Sequence, residues 1–180
     1  MPLRELLKVT LWAITFRLPS RLRQRADVET IAESDLFDLD FYLEENTDVA
    51  EANVDAISHY VREGAAEGRN PSPFFDSAYY LEENSDVRKG RRNPLAHYIR
   101  SGAAEMRNPH PRFDINYYLE TNPHLAKAGV DALLHYISIG VDRSLRPHAD
   151  FPSVAPLVGL RSASTTAEHP RSAHVPNDDA

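Results

Sequence analysis

Three histidines occupy matching places in this sequence, His59, His97 and His135, and each is followed by a tyrosine (Tyr60, Tyr98, Tyr136). Imidazole exchanges its proton close to neutral pH, so a histidine beside phenols and carboxylates could act as general acid, general base or metal ligand. Carboxylates recur in the same rhythm, at Asp38, Asp76 and Asp114 and at Glu44, Glu82 and Glu120. The recurrence itself argues against a joint site. Equivalent residues of packed helical units stand about 8–10 Å apart, whereas a zinc ion needs all its nitrogens at about 2 Å. A histidine found once per unit is more simply a packing or hydrogen-bonding residue, and the acid and tyrosine columns are read in the same way. Asp38-Leu39-Asp40 spells Asp-x-Asp, a pattern able to hold a divalent metal and a nucleotide diphosphate, but Ala78 and Asn116 stand where Asp40 recurs, which makes the match coincidental. No phosphate-binding glycine loop, serine elbow or paired-histidine zinc helix occurs. Gly-Ala-Ala-Glu at 64–67 and 102–105 follows a helical run and reads as a stop signal. No catalytic residue, metal ligand or cofactor is assigned.

The elements that carry these residues come in three gapless copies of 38 residues. Phe37, Phe75 and Phe113 share one column, as do Tyr42, Tyr80 and Tyr118, and Asn46, Asn84 and Asn122. Gly64, Gly102 and Gly140 share another, and Pro71, Pro109 and Pro147 another. Ten of the 38 columns are identical in all copies, too many for chance, so the chain divides into a leader (1–36), a repeat region (37–74, 75–112, 113–150) and a tail (151–180). A fourth copy starts at Phe151 but carries Pro152 and Pro156, which the first helix of a unit cannot accommodate. The Ser-, Ala- and Pro-rich stretch beyond it is expected to be disordered.

Each unit predicts three short helices. Asp38, Asp76 and Asp114 stand at an N-cap, where a carboxylate accepts from free backbone N–H groups. Asn46, Asn84 and Asn122 are expected to cap a second helix, which ends near Asn53, Gly90 or Gly129 in a left-handed residue. A third helix starts at Asp55, Asn93 or Asp131, carries an apolar stripe such as Ile57, Tyr60 and Val61, and is closed by Gly64, Gly102 or Gly140. Spaced prolines then keep one unit from running into the next. The fold class is therefore all-α, a tandem array of three helical repeats in which each unit leans on its neighbours.

Charge separates the leader from the rest. The chain of 180 residues is net −7, yet residues 1–25 hold six basic residues against one acid, leaving −12 on the remainder. An acidic body argues against nucleic acid as partner. Cysteine is absent, which removes disulfides and thiolate chemistry. In the leader, Leu3, Leu7, Leu11, Ile14 and Leu18 share one helical face, joined by Trp12 and Phe16, and the uncharged run from Val9 to Phe16 is followed by Arg17, Arg21, Arg23 and Arg25. The run is too short to span a bilayer. It suits an amphipathic helix lying in an anionic membrane surface or, equally, a helix packed on the repeat region or on a partner domain. A short segment from Val28 to Glu33 is expected to cap the array's N-terminal end.

The unit as written here, F-D-x-x-[FY]-Y-L-E-x-N followed by H-Y-[VI]-x-x-G and, in two copies, E-x-R-N-P-x-P, resembles a bacterial repeat found N-terminal to glycosyltransferases of surface-polysaccharide biosynthesis. The similarity covers residues 34–150; copy three departs from it, with Arg143 and Leu145 in the Glu and Arg columns. The resemblance implies glycan assembly beside a membrane, in the cytoplasm and peripheral to the inner membrane, with a glycan-synthesis enzyme or a glycan as partner. It supplies no catalytic residue. Three functions follow in order: a non-catalytic docking module, a separately encoded N-terminal part of a glycosyltransferase, and a small enzyme using the His and carboxylate columns. A neighbouring reading frame encoding a nucleotide-sugar-binding domain would favour the second.

Overall fold

A computed structural model describes residues 20–150, and every regular element among them is helical. The apolar face of the leader (Leu7, Leu11, Trp12, Ile14, Phe16), Arg17 and the tail lie outside the described residues. Helix α1 covers 20–32. Three groups of elements follow: α2 (Leu39–Glu45), α3 (Thr47–Ala52) and α4 (Ala56–His59); α5 (Ser77–Glu83), α6 (Ser85–Lys89) and α7 (Pro94–His97); and α8 (Ile115–Thr121), α9 (Pro123–Ala128) and α10 (Ala132–His135). Helices α4, α7 and α10 each continue into a wider π turn, Tyr60–Gly64, Tyr98–Gly102 and Tyr136–Gly140. No described helix is long and apolar enough to cross a membrane.

Local chemistry starts each group. Asp38, Asp76 and Asp114 accept from the backbone N–H of Phe41, Tyr79 and Tyr117. The backbone N–H of the same aspartates donates to the carbonyls of Pro71, Pro109 and Pro147 at 2.9, 3.0 and 2.9 Å, fastening the start of each segment to its own end. Asn70 and Asn108 bind forward, their Oδ1 accepting from the N–H of Ser77 and Ile115, the first residues of α5 and α8. The prolines thus do more than interrupt a helix. Their carbonyls close the segment that precedes them.

One continuous core runs from Ile31 to Val141. Its centre in each segment is a phenylalanine and two tyrosines: Phe37, Tyr42 and Tyr60, then Phe75, Tyr80 and Tyr98, then Phe113, Tyr118 and Tyr136. The two tyrosines of a segment meet edge to face, with centroids 5.9, 6.1 and 5.7 Å apart, a geometry worth roughly 0.5–1.5 kcal/mol beyond the area it buries.

Several expectations are corrected. The left-handed column is Asn53, Arg91 and Gly129 (φ 50°, 49° and 64°), whereas Gly90 is right-handed (φ −73°). Gly64, Gly102 and Gly140 are the last residues of their helical runs, as expected, but they end a π turn: the following residues Ala65, Ala103 and Val141 are still right-handed and bond back five residues to Tyr60, Tyr98 and Tyr136. The backbone turns left-handed four residues after each glycine, at Gly68, Met106 and Ser144 (φ 78°, 58° and 53°). The helix expected from Val28 to Glu33 is the end of the longer α1, and it lies against the second segment rather than on the N-terminal end alone: Arg100 binds the Asp27 carboxylate, the Ala26 carbonyl (2.8 Å) and the Thr30 hydroxyl (2.7 Å). Nor do segments touch only their sequence neighbours. Phe74 is buried against Tyr136, with centroids 5.9 Å apart, so the end of the first segment reaches the third.

Candidate functional site

The residues singled out for chemistry meet in pairs inside each segment. The Tyr42 hydroxyl lies 3.0 Å from His59 Nδ1, Tyr80 is 3.0 Å from His97 Nδ1, and Tyr118 is 2.8 Å from His135 Nδ1. A phenol donating to Nδ1 places the imidazole proton on Nε2, the neutral tautomer. Burial holds the three phenols, and the imidazoles of His97 and His135, in their neutral form. Burial pushes the Tyr42 phenol up to about 12 and raises those of Tyr80 and Tyr118 further. Burial also lowers His97 and His135, with the Arg107 charge adding at His97 and His124 and Arg143 adding at His135. At His97 and His135, a phenol that does not ionise and an imidazole that resists its proton make a structural pair, not an acid and a base poised near neutrality.

Packing explains why the pair needs a glycine. A Cβ on Gly64 would stand 2.2 Å from the Tyr42 hydroxyl, one on Gly102 2.1 Å from that of Tyr80, and one on Gly140 2.6 Å from that of Tyr118. The hydroxyl occupies the place where any other residue would carry its side chain. Neighbouring phenols bind across segments, Tyr60 to Ser77 Oγ at 2.9 Å and Tyr98 to Asp131 at 3.4 Å.

The asparagine column sits at the expected N-cap position, but its side chains serve the helix before it. Asn46, Asn84 and Asn122 precede α3, α6 and α9, but none accepts a capping bond from its helix. Their Nδ2 groups donate backward to the carbonyls of Tyr42, Tyr80 and Tyr118 at 2.7, 2.7 and 2.9 Å. The side chains therefore satisfy the C-terminal end of the preceding helix. In two segments Oδ1 then accepts from an arginine, Arg69 on Asn46 and Arg107 on Asn84. Arg69 also grips Asp48 with two bonds (2.8 and 2.9 Å) and reaches Glu67; Arg107 does the same with Asp86 (2.8 and 3.1 Å) and Glu105. The guanidinium holds the Asp48 carboxyl below the ordinary range and that of Asp86 down to about 2. The third segment has His124, Arg143 and Leu145 at these places and lacks the clamp. That Glu-x-Arg spacing, present twice and absent once, was the signal for it in the sequence.

The remaining candidates stay apart. Asp38 is bound to its helix and Asp40 is exposed on the first turn of α2. Among the described residues no three histidines or acids gather as a metal set would require. Of the leader's cations, Arg25 pairs with Glu29 on its own helix (3.1 Å), Arg21 and Arg25 line a hollow beside Ser58 and Arg62, and Arg23 faces the second segment. Comparison with known proteins gives no match, neither to a family model nor to a curated protein nor to a solved structure. The functional argument therefore rests on the residues themselves.

Proposed function

We propose that the chain is a non-catalytic helical module, three 38-residue units in tandem, that docks a glycan-synthesis enzyme beside the bacterial inner membrane on its cytoplasmic side, with the basic leader as its membrane contact. The observation that carries the non-catalytic part is the use of the repeated polar columns. The Tyr–His pair, the asparagine and, in two segments, the arginine clamp satisfy one another within their own segment. Groups held so are fixed for building a unit, and the phenols together with His97 and His135 stay neutral near neutral pH. The setting in glycan assembly comes from the resemblance of the repeat, and the membrane contact from the charge and apolar pattern of residues 1–25.

Mixing the full chain with a purified glycosyltransferase encoded beside it, and sizing the mixture by analytical ultracentrifugation, tests the docking role. A discrete complex, with no sugar transfer by the chain alone, is the expected result; transfer by the chain alone would end this account. In parallel, Leu11→Asp with Trp12→Asp in the full chain should abolish co-sedimentation with anionic vesicles if the leader is the membrane contact.

A further inference from the structure

We propose that the hollow between α1 and the second segment binds a phosphate-bearing ligand that has an apolar face. Its volume is about 600 Å³, within the size range of small-molecule sites. Five arginines line it: Arg23 on α1, Arg62, and Arg88, Arg91 and Arg92 at the end of α6. None of the five side chains is in an ion pair among the described residues. The one acid lining it, Asp27, is already held by Arg100. Val61, Ala65, Leu81 and Pro94 give the hollow an apolar wall. Guanidinium groups present paired N–H donors that match phosphate oxygens, and a recess with low-polarity walls strengthens that attraction.

The other two segments serve as an internal control. At the columns of Arg88, Arg91 and Arg92 the first segment has Ala50, Asn53 and Val54, and the third has Ala126, Gly129 and Val130. The same helices form without the arginines, so the fold does not require them. Asn93 replaces the Asp55 and Asp131 of its column. It caps its helix just as they do, Oδ1 accepting from the Ala96 N–H. Across these four columns the second segment alone turns one negative charge into three positive ones. A helix C-terminus favours cations, which accounts for the sign at Arg88. It does not account for Arg91, left-handed at φ 49° where the other segments place asparagine and glycine, residues that take that conformation at less cost.

Asn93 adds an observation of another kind. It is nine-tenths buried, it lines the hollow, and its Nδ2 has no hydrogen-bond partner. Because Oδ1 is committed to the cap, the orphan atom is a donor. A buried donor without a partner costs free energy, and a small shift of the Asn93 amide toward the arginines would bring its covered Nδ2 onto an anion bound among them. The site stands apart from the docking role proposed above and does not depend on it.

The probes are inorganic pyrophosphate, titrated into the full chain by calorimetry, and vesicles of phosphatidylglycerol or of phosphatidylcholine, assayed by co-sedimentation. The decisive variant, Arg88→Ala/Arg91→Asn/Arg92→Val, installs the residues of the first segment and should keep the parent's circular dichroism and Tm. Parent protein is expected to bind pyrophosphate saturably and more weakly as salt rises, with at least about a tenfold loss in the triple variant. Should the triple variant fold poorly, Arg92→Val alone gives the same readout in the same direction. Phosphatidylglycerol capture that falls with the arginines assigns the phosphate to a lipid headgroup. Capture unchanged while pyrophosphate binding is lost assigns it to a soluble ligand. Saturable binding of neither probe, or pyrophosphate binding equal in parent and variants, overturns the proposal.

Discussion

The tyrosine hydroxyls decide what their neighbours can be. Each lies where a glycine has no Cβ and each meets an imidazole nitrogen, so the Tyr, His and Gly columns form one constraint spread over 23 residues of chain, as from Tyr80 to Gly102. Gly102→Ala should therefore destabilise the protein by about 1–3 kcal/mol through overpacking, read as a shift in the urea midpoint. Much of that loss should disappear in a Tyr80→Phe background, because the atom in the way is gone. The same pairs set a pH dependence. His97 and His135 take up their proton at lower pH than in the unfolded chain, so on acidification the unfolded state binds protons first and stability falls. The stabilisation is complete above about pH 6.5 and is lost as pH drops below it toward the folded-state values. Urea midpoints measured across that window should fall with pH, and His97→Gln/His135→Gln should flatten the slope.

At the level of the element, helices of only four to seven residues survive because their ends are satisfied from outside. Isolated helices this short do not form in water. Aspartates cap the starts, asparagines bind back onto the carbonyls of the helix before, and prolines close the segment. Arg107 joins two such helices by holding Asn84 and Asp86 together. The two partners should not weigh equally. Asp86 is largely exposed, and its loss in Asp86→Asn should leave Tm nearly unchanged, since exposed pairs contribute little. Arg107→Ala strands the carbonyl of the buried Asn84 and should cost about 1–3 kcal/mol. Thermal unfolding of the two variants in parallel checks the ordering; equal effects would mean that the ion pair, and not the amide, holds the junction.

Across the whole molecule, the contact between Phe74 and Tyr136 and the contact of α1 with Arg100 tie together residues that an open row of units would leave apart. Such ties should make unfolding a single transition, in contrast to the stepwise loss an open array permits. Phe74→Ala removes a buried ring and should cost about 3–5 kcal/mol. Arg112→Ala, at the equivalent column of the second segment and exposed, should change little. Urea unfolding followed by both circular dichroism and tyrosine fluorescence distinguishes the cases: coincident curves in the parent and in Arg112→Ala, a lower midpoint in Phe74→Ala.

The helical class and the aspartate caps were legible in the sequence because each depends on residues near one another in the chain, and the 38-residue period is a property of the sequence itself. A cap is a contact over three residues, and a period needs no knowledge of space. The partners of the repeated histidines were not legible, since Tyr42 and His59 are 17 residues apart and meet only when α2 packs on α4. Gly64 was legible as the end of a helical run, but only packing showed that a hydroxyl occupies the place of its missing side chain. The arginine-lined hollow was hidden for a related reason. Its charges are scattered through an acidic chain from Arg23 to Arg92, and the folding of α1 onto the second segment brings them to one place. Local rules act through the covalent chain, whereas a cleft is made by surfaces that the chain brings together last.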